Sequence, residues 1–591
     1  MLFSRLRVAH LRVSTRLINW RPDLKVWRHW VAAGISWARL VSGGLSRSKV
    51  IQVAYFAKWV SGMVRTQGRT GLVRYLKTAH TLLMQGVPGS KLRVPSRKIS
   101  KVAVSTGGCN LPRVIPRYAR NYIRKGDAST LRFWLTMLGM YRIIPCKGVL
   151  KLGTITNPGV PLSRGLKEDW IAFVRKRFLP GLERHVGRKL RDISTDVLER
   201  PSAVAILTAS ADKPQRSFGP EGVEVTQRTS FGTRFNSAQR WTGGEWGWGL
   251  FRYLSLHPGG VGTTKSLWTQ MEAVTAVGKW RSSQSIPASD QESKDIEVGR
   301  RQVIGNPLLP IGAGGGFGIG GGSKVNGRLS TKEEAAGKIR VFALVDYWTQ
   351  VTLMPLHKWI FGILSEIPQD GTFDQLKPIK RLLKRLPKEQ TVYSYDLSAA
   401  TDRIPVLLQG FLLACIFGRQ FASCWRALLC GRRYYIGKRR MRLAGLDKPY
   451  VRYSVGQPMG ALSSWGMLAL VHHAMVQYAA YKAGYVTWFD LYAVLGDDVV
   501  IADDRVASQY RNLCEMIGVE IGIAKSLVAE GGTLEFAKKF FFRGEDLSGL
   551  PIKFWAAAQN TMGVTHALSA WYPTGTLANF LRAMGVGFKG A

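Results

Sequence analysis

The chain has 591 residues, 46% of them apolar, which fits a globular protein of two to four subdomains and excludes a disordered chain. Its 84 lysines and arginines against 38 acids give a formal charge of +46. A field of that size disfavours cationic partners and favours polyanions, nucleic acid first and an anionic membrane surface second.

In chain order, residues 1–200 read as a basic, mostly helical N-terminal region. Pro88-Gly89 and Pro112 to Pro116 punctuate it. Residues 1–126 hold 25 lysines and arginines against one acid, Asp23. Trp20, Trp27, Trp30, Trp37 and Tyr75 lie among these cations, a mixture suited to phosphate contacts with base stacking. Peripheral contact with a membrane is the second reading of the same region. The first twenty residues are arginine-rich and acid-free, like a mitochondrial transit peptide, but the basic character persists past residue 100 and needs no removable leader.

Residues 201–390 begin with a tryptophan- and glycine-rich stretch, clearest at Trp241 to Trp248, followed by the low-complexity run Ile311 to Ser323. A formal GxGxxG (Gly316, Gly318, Gly321) lies in that run. It has neither the strand–helix setting of a dinucleotide site nor the Gly-Lys-Ser/Thr ending of a phosphate loop, so it reads as a linker. Gly337 to Val341 reads as a strand with Lys338 and Arg340 on one face, suited to a triphosphate.

Residues 391–548 carry the acids. Thr391 to Tyr395 reads as a strand ending on Asp396, and an acid buried there is costly unless it is paired or bound to metal. Helix capping is the alternative for Asp396, with Ser398 or Thr401 competing for that role. In Val455 to Trp465, Gly456 and Gly460 permit close backbone approach, while Ser463 and Ser464 put hydroxyls at the start of an apolar helix, Leu462 to Tyr481. The uncharged stretch Ser454 to Tyr481 contains Pro458, Gln457, Gln477, His472 and His473, so it reads as a buried helix and not a bilayer span. No transmembrane segment is expected. Trp488 to Ala502 reads as a hairpin tipped by Gly496-Asp497-Asp498. Adjacent carboxylates repel, and a pair of Mg²⁺ ions would offset that repulsion. Two ions held about 3.5–4 Å apart clamp the attacking and leaving oxygens of a phosphoryl transfer. Lys525 follows near the same centre. Cys109, Cys146, Cys415, Cys424, Cys430 and Cys514 show neither zinc nor disulfide spacing and read as buried thiols.

Seven ordered segments together resemble an RNA-dependent RNA polymerase of the mitoviruses, in the narnavirus/levivirus-like branch. They are Gly337 to Gln350, Ile367 to Gln375, Asp396 to Pro405, Gly456 to Ser464, Leu495 to Asp498, Ala524 to Ser526 and Leu534 to Phe540. The resemblance implies an α/β (α+β) right-hand polymerase with fingers, palm and thumb, its small antiparallel palm sheet packed on helices. On that pattern the fingers-like region is 201–390, the palm 391–548 and a short thumb or C-terminal region 549–591. It implies Asp396, Asp497 and Asp498 as ligands of two Mg²⁺ ions, with Mn²⁺ as a substitute. Lys338, Arg340, Asp402, Gly460, Ser463 and Ser464 would meet the nucleotide, and Lys525 would be the general acid for pyrophosphate. The implied partners are single-stranded RNA template, product RNA and ribonucleoside triphosphates, with no obligate protein partner. The implied location is the host mitochondrion.

Two departures bear on ribose selection. Asp402 lies six residues after Asp396 where many related enzymes have an acid five residues on, and Leu468 stands where those enzymes carry asparagine. Two other readings are an organellar reverse transcriptase of the maturase type and a non-catalytic RNA- or membrane-binding relative. The Gly-Asp-Asp tip disfavours the first, which normally carries Ala-Asp-Asp. The presence of all three acids disfavours the second.

Overall fold

The computed structural model describes residues 24–42, 45–90, 95–198, 327–387, 389–552 and 555. The Trp241 to Trp248 stretch, the glycine run containing Gly316, Gly318 and Gly321, and most of 549–591 lie outside them. Trp20 and the side chains of Trp27 and Trp30 do too.

The N-terminal part is helical, as its composition suggests. Helix α1 spans Leu24–Ser42 and α2 spans Arg47–Gly86. Ser46 caps α2 by accepting from the Lys49 N–H, and Gly68, at φ +66°, breaks it midway. Helix α3, Ala128–Gly139, starts on Asp127, whose carboxylate accepts from the Thr130 N–H at 2.7 Å.

Beyond residue 326, strands β1 (Gly327–Glu334) and β2 (Lys338–Val345) form an antiparallel hairpin. Helix α4 (Tyr347–Glu366) is capped by Asp346, and the short α5 (Lys377–Arg385) follows it. Next come β3 (Val392–Asp396), α6 (Val406–Phe417), α7 (Arg419–Cys430), β4 (Tyr434–Tyr435) and β5 (Tyr450–Val451). Helix α8 is Ser464–Lys482, two residues inside the expected start, and is buried on nearly every side, as its unbroken apolar character requires. Strands β6 (Tyr492–Leu495) and β7 (Asp498–Ile501) form the expected hairpin, and α9 is Asp504–Met516. Strands β8 (Leu527–Ala529), β9 (Leu534–Phe536), β10 (Lys539–Phe542) and β11 (Glu545–Asp546) complete the described chain. The fold is mixed helix and sheet with small sheets, as expected. Among the described residues no helix is long and apolar enough to cross a membrane.

One four-stranded sheet, in the order β6-β7-β3-β8 with every pair antiparallel, positions the acids. Alternate residues face opposite ways. Tyr492, Val494, Val499, Ile501 and Tyr395 join the large core with α8 and α9. Ala493, Val500 and Val392 face α5 through Ile379 and Leu382. Each face is therefore covered, which fixes the register of the hairpin.

The N-terminal helices do not enclose a core of their own. Trp37, Phe56, Leu76 and Trp134 share one buried cluster with Leu527, Phe540, Phe542, Leu547 and Trp555. Trp37, expected among base-stacking aromatics, is 1% exposed and meets Trp555 edge-on at 5.7 Å. Its indole is core because α1 folds back over residues 527–555. Tyr75 packs on Trp59 at 4.8 Å. The described cysteines carry no disulfide, and Cys109 is exposed where burial was expected. It sits with Asn110 in left-handed backbone at the surface.

Candidate active site

The tip of the β6–β7 hairpin is a two-residue turn, since Leu495 pairs with Asp498. Gly496 has φ +59°, the left-handed conformation such a turn needs at its first central residue. A Cβ there would sit 3.0 Å from the Trp465 indole nitrogen. The sequence therefore places glycine where both backbone and packing demand it. Asp497 follows at the tip, and Asp498 begins β7.

Across the sheet, Asp396 pairs in register with Asp498, so the end of β3 meets the hairpin tip. Residues directly opposite across a ladder share a face. Burial raises the Asp497 pKa, with the negative charge of Asp396 adding to it, even though the Asp497 side chain reaches solvent. Asp498 is pushed up to about 7 by burial first, then by Asp497, Glu535 and Asp396. Glu535 on β9 is pushed up to about 7 for the same first reason. The site thus concentrates negative charge that the fold itself does not fully neutralise.

Cations surround it. The Lys525 ammonium lies 2.5 Å from Asp396 Oδ1, and the Gly522 N–H donates to the Asp396 carbonyl at 2.8 Å. Lys338 opens β2 on its exposed side, and burial lowers its pKa with Arg340 as the next cause. Arg340 is held by Glu334 at 2.8 Å.

The Gly456 to Ser464 loop lies against both halves of the site. A Cβ on Gly456 would fall 2.2 Å from the Thr401 carbonyl, and the Gly456 N–H donates to the Asp402 carbonyl at 2.9 Å. Gly460, at φ +112°, sits so close to β2 that a Cβ would be 2.4 Å from the Ala343 carbonyl. Both glycines thus seat the loop by close backbone approach. Asp402 accepts from the Thr154 hydroxyl at 2.8 Å, and burial raises its pKa to about 6. Its other oxygen, Oδ1, is buried with no partner among the described residues.

The two serines differ from each other. Ser463 is strained at φ +66° and fully buried, and its hydroxyl accepts from the Trp425 indole at 3.0 Å. The hydroxyl is engaged by the Trp425 indole, which α7 delivers to it. Ser464 begins α8 with its hydroxyl buried and with no partner among the described residues.

Sequence reasoning missed what His472 and His473 do. Both are 0% exposed on α8. His472 Nδ1 lies 2.7 Å from the Gly496 carbonyl, which can only accept, so Nδ1 carries the proton. Its Nε2 then accepts from the Tyr510 hydroxyl at 2.7 Å. His473 joins the Tyr492 hydroxyl to Asp370, at 2.9 and 3.0 Å. The Ile367 to Gln375 segment adds backbone bonds to β6, Gly371 N–H to the Val494 carbonyl and Val494 N–H to the Gln369 carbonyl. The acid-bearing turn is thus held from behind by buried histidines. Two adjacent histidines in an otherwise apolar helix were the available signal.

Burial lowers the His472 pKa to about 4. The folded protein keeps this ring neutral, whereas the unfolded chain takes up a proton below about pH 6.5. The contribution is complete above pH 6.5 and declines as pH falls from 6.5 towards 4. His472→Asn keeps a donor near the Nδ1 position and removes the titration. It should lower stability at pH 7, and its deficit against the unsubstituted protein should shrink by roughly 2–3 kcal/mol at pH 4.5. Urea unfolding at the two pH values measures this, and a deficit independent of pH contradicts a neutral buried ring.

Residues 317–573 match the family described as Mitovirus RNA-dependent RNA polymerase. The RNA-directed RNA polymerase of Cryphonectria parasitica mitovirus 1 is 31% identical over 486 residues, which cover 80% of this chain and 51% of that protein. Residues 317–573 are thus a mitovirus RNA-dependent RNA polymerase domain. The chain spans about half the length of that mitovirus relative. Two proteins of Arabidopsis thaliana, both named as uncharacterised mitochondrial proteins, are also similar. One is 44% identical over 196 residues (32% of this chain, 76% of that one), and the other is 36% identical over 169 residues (28% and 79%). Among solved structures, the RNA-dependent RNA polymerase of a human picorbirnavirus aligns at 14% identity and a TM-score of 0.33, covering 44% of this chain and 56% of that one. All seven segments singled out in the sequence interlock: the β2 strand, the Asp370 segment, the end of β3, the glycine–serine loop, the hairpin tip, the Lys525 turn and β9, whose Glu535 N–H donates to the Ser394 hydroxyl at 3.0 Å.

Proposed function

We propose that this protein is an RNA-directed RNA polymerase that copies single-stranded RNA from ribonucleoside triphosphates. The observation that carries this reading is the in-register pairing of Asp396 with Asp498, with Asp497 on the adjoining turn. On this reading the β6-β7-β3-β8 sheet with α8 and α9 is the palm, and the β1–β2 hairpin belongs to the fingers. Strands β9 to β11 lead into a short thumb.

The donor set fits a hard divalent cation. It offers carboxylate oxygens and no thiolate, and the Asp497 and Asp498 pKa values are raised by burial and by neighbouring carboxylates, which a cation would relieve. Among the described residues no three such side chains already converge as a metal cage. Lys525 instead pairs with Asp396, so a metal would have to displace that ammonium. Asp396 and Asp497 would be the principal ligands of two Mg²⁺ ions, with Asp498 in support and Mn²⁺ as a substitute. Bound there, the metals would supply acidification of the RNA 3′-hydroxyl and neutralisation of the phosphates.

The chain's own residues do the rest. Lys338 and Arg340 hold the triphosphate from β2, Arg340 first leaving Glu334. Lys525, once released from Asp396, carries a proton that it can pass to departing pyrophosphate. Gly460 lets the loop approach β2 and so sets the floor of the nucleotide site. The unpartnered Asp402 and Ser464 oxygens are the available groups for the ribose hydroxyls. The two similar Arabidopsis proteins named as mitochondrial support residence in the mitochondrion.

The test is nucleotide incorporation on a primed or unprimed RNA template with Mg²⁺. Ribonucleotide incorporation with little use of deoxynucleotides is expected. Efficient use of deoxynucleotides would replace this reading with a reverse transcriptase, and no incorporation of either would leave an RNA-binding relative.

A further inference from the structure

The N-terminal region enters the candidate site itself. Helix α2 is fastened to the Lys525 turn through Gln85, whose amide donates to the Ser526 carbonyl at 3.1 Å. Just past α2, the Ser90 hydroxyl accepts from the Val528 N–H at 3.4 Å. The segment after α3 is fastened to the Lys338 turn. The Ala336 N–H donates to the Ile144 carbonyl at 2.9 Å, and Gly148 packs so tightly that a Cβ would lie 2.8 Å from the Gly337 carbonyl. One piece of N-terminal structure thus braces both turns that carry the expected phosphate-binding lysines.

Lys77 lies on α2, two turns before Gln85, with its side chain half-buried. The charges that act on it are those of Lys525, Lys338, Asp396 and Lys151. These are the neighbours of the acid cluster: Lys525 and Lys338 also act on Asp497. Among the described residues neither Lys77, Lys151 nor Lys338 is paired with a carboxylate, while Lys525 is paired with Asp396. Helix α2 packs against the turn at residues 335–337 and against β8, so Lys77 shares one field with Lys525, Lys338, Lys151 and Asp396, and among the described residues Lys525 alone of these four lysines is ion-paired. Burial lowers the pKa of Lys77, so holding a charge there is costly until an anion arrives. The anion must be compact and highly charged to meet cations from three separate segments at once. A nucleotide's β,γ-phosphates, or pyrophosphate leaving them, meet that description. A backbone phosphodiester of RNA carries one charge per residue and does not.

We propose that Lys77 is a phosphate-binding residue that the N-terminal helix contributes to the nucleotide site, contacting the β,γ-phosphates of the incoming triphosphate and the pyrophosphate derived from it. This rests on the polymerase reading above. It assigns the basic N-terminal region a direct part in substrate binding, beyond any contact with RNA or membrane.

Lys77→Met keeps the apolar stem and removes the charge. It should raise KM about 10- to 100-fold for all four ribonucleotides, the loss expected for one charge-assisted hydrogen bond. Inhibition by pyrophosphate should weaken in parallel while RNA affinity stays unchanged, and Lys77→Arg should restore most of both. Unchanged KM and pyrophosphate inhibition overturn the assignment. So does a fall in RNA affinity with KM unchanged, which would make Lys77 an RNA contact. A second measurement needs no variant: acylation of lysines in the unsubstituted protein, read by mass spectrometry. Mg²⁺-pyrophosphate should protect Lys77 along with Lys338 and Lys525. Protection of those two without Lys77 overturns the assignment. Protection of none, with no incorporation by the unsubstituted protein, overturns the polymerase reading instead.

Discussion

Asp497→Asn should lower Mg²⁺-dependent RNA synthesis by about 10³-fold or more while leaving RNA affinity within about twofold, a loss of roughly 4 kcal/mol of transition-state stabilisation. The substitution preserves the shape of the turn, since Gly496 and not residue 497 carries the left-handed backbone. It also removes a charge that raises the pKa of Asp498, so the variant should be at least as resistant to heat as the unsubstituted protein. Lost synthesis with unchanged or increased stability identifies a chemical role. Retained synthesis sinks the metal assignment. Asp498→Asn provides the contrast. Asp498 faces Glu535 and a backbone N–H at Ala537, so part of its bonding is directed into β9 and the turn after it, away from the tip. Its neutralisation should cost about 10- to 100-fold in rate, less than that of Asp497. Equal losses would make the two acids equivalent ligands.

The parts of this site that could be read in the sequence were local. An alternating β-branched hairpin with a Gly-Asp tip has few other conformations, and an aspartate closing a short apolar strand marks the strand's end. Lys338 and Arg340, two apart on a strand, had to share a face, and Gly456 and Gly460 marked close backbone approach before any partner was known. The roles of His472, Arg432 and Lys77 could not be read, because each is set by a partner distant in the chain. His472 reaches Gly496 across 24 residues, and Arg432 reaches Asp346 across 86. Periodicity carries no information about such pairings. Ser463 shows the converse case. A hydroxyl at a helix start signals an anion site only when nothing else claims it, and here the Trp425 indole does.

The N-terminal region is the larger revision. A stretch with 25 cations and one acid in its first 126 residues reads as an electrostatic appendage. Yet its apolar residues supply most of a core that they share with residues 131–144 and with Leu527, Phe540, Phe542, Leu547 and Trp555. Truncation at residue 126 would expose that core and remove the braces on Ser526 and Val528, so a loss of RNA binding after truncation would not isolate the role of charge. Single charge substitutions, such as the one at Lys77, separate electrostatics from folding.

Arg432→Ala should destabilise the fold by about 3–5 kcal/mol, the largest single-site loss expected outside the chemistry. Arg432 Nη1 meets Asp346 Oδ2 at 2.9 Å, with the two side chains 7% and 0% exposed. Its Nε donates to the Leu428 carbonyl at 2.7 Å and its Nη2 to the Thr349 hydroxyl at 2.9 Å. Asp346 in turn caps α4 through the Thr349 N–H at 3.1 Å. The guanidinium thus ties the end of α7 to the start of α4, directly beyond the β2 strand that carries Lys338. Deleting it leaves a carboxylate in a buried place with its charge uncompensated, and that desolvation, more than any lost contact, sets the size of the effect. Neutralising the partner as well should recover much of the loss. Asp346→Asn in the Arg432→Met background keeps the N-cap acceptor and removes the stranded charge. Urea midpoints of the single and double variants decide between the two causes. If the double variant is no more stable than Arg432→Ala, the geometry of the arginine fork holds α4 in place, and charge compensation does not.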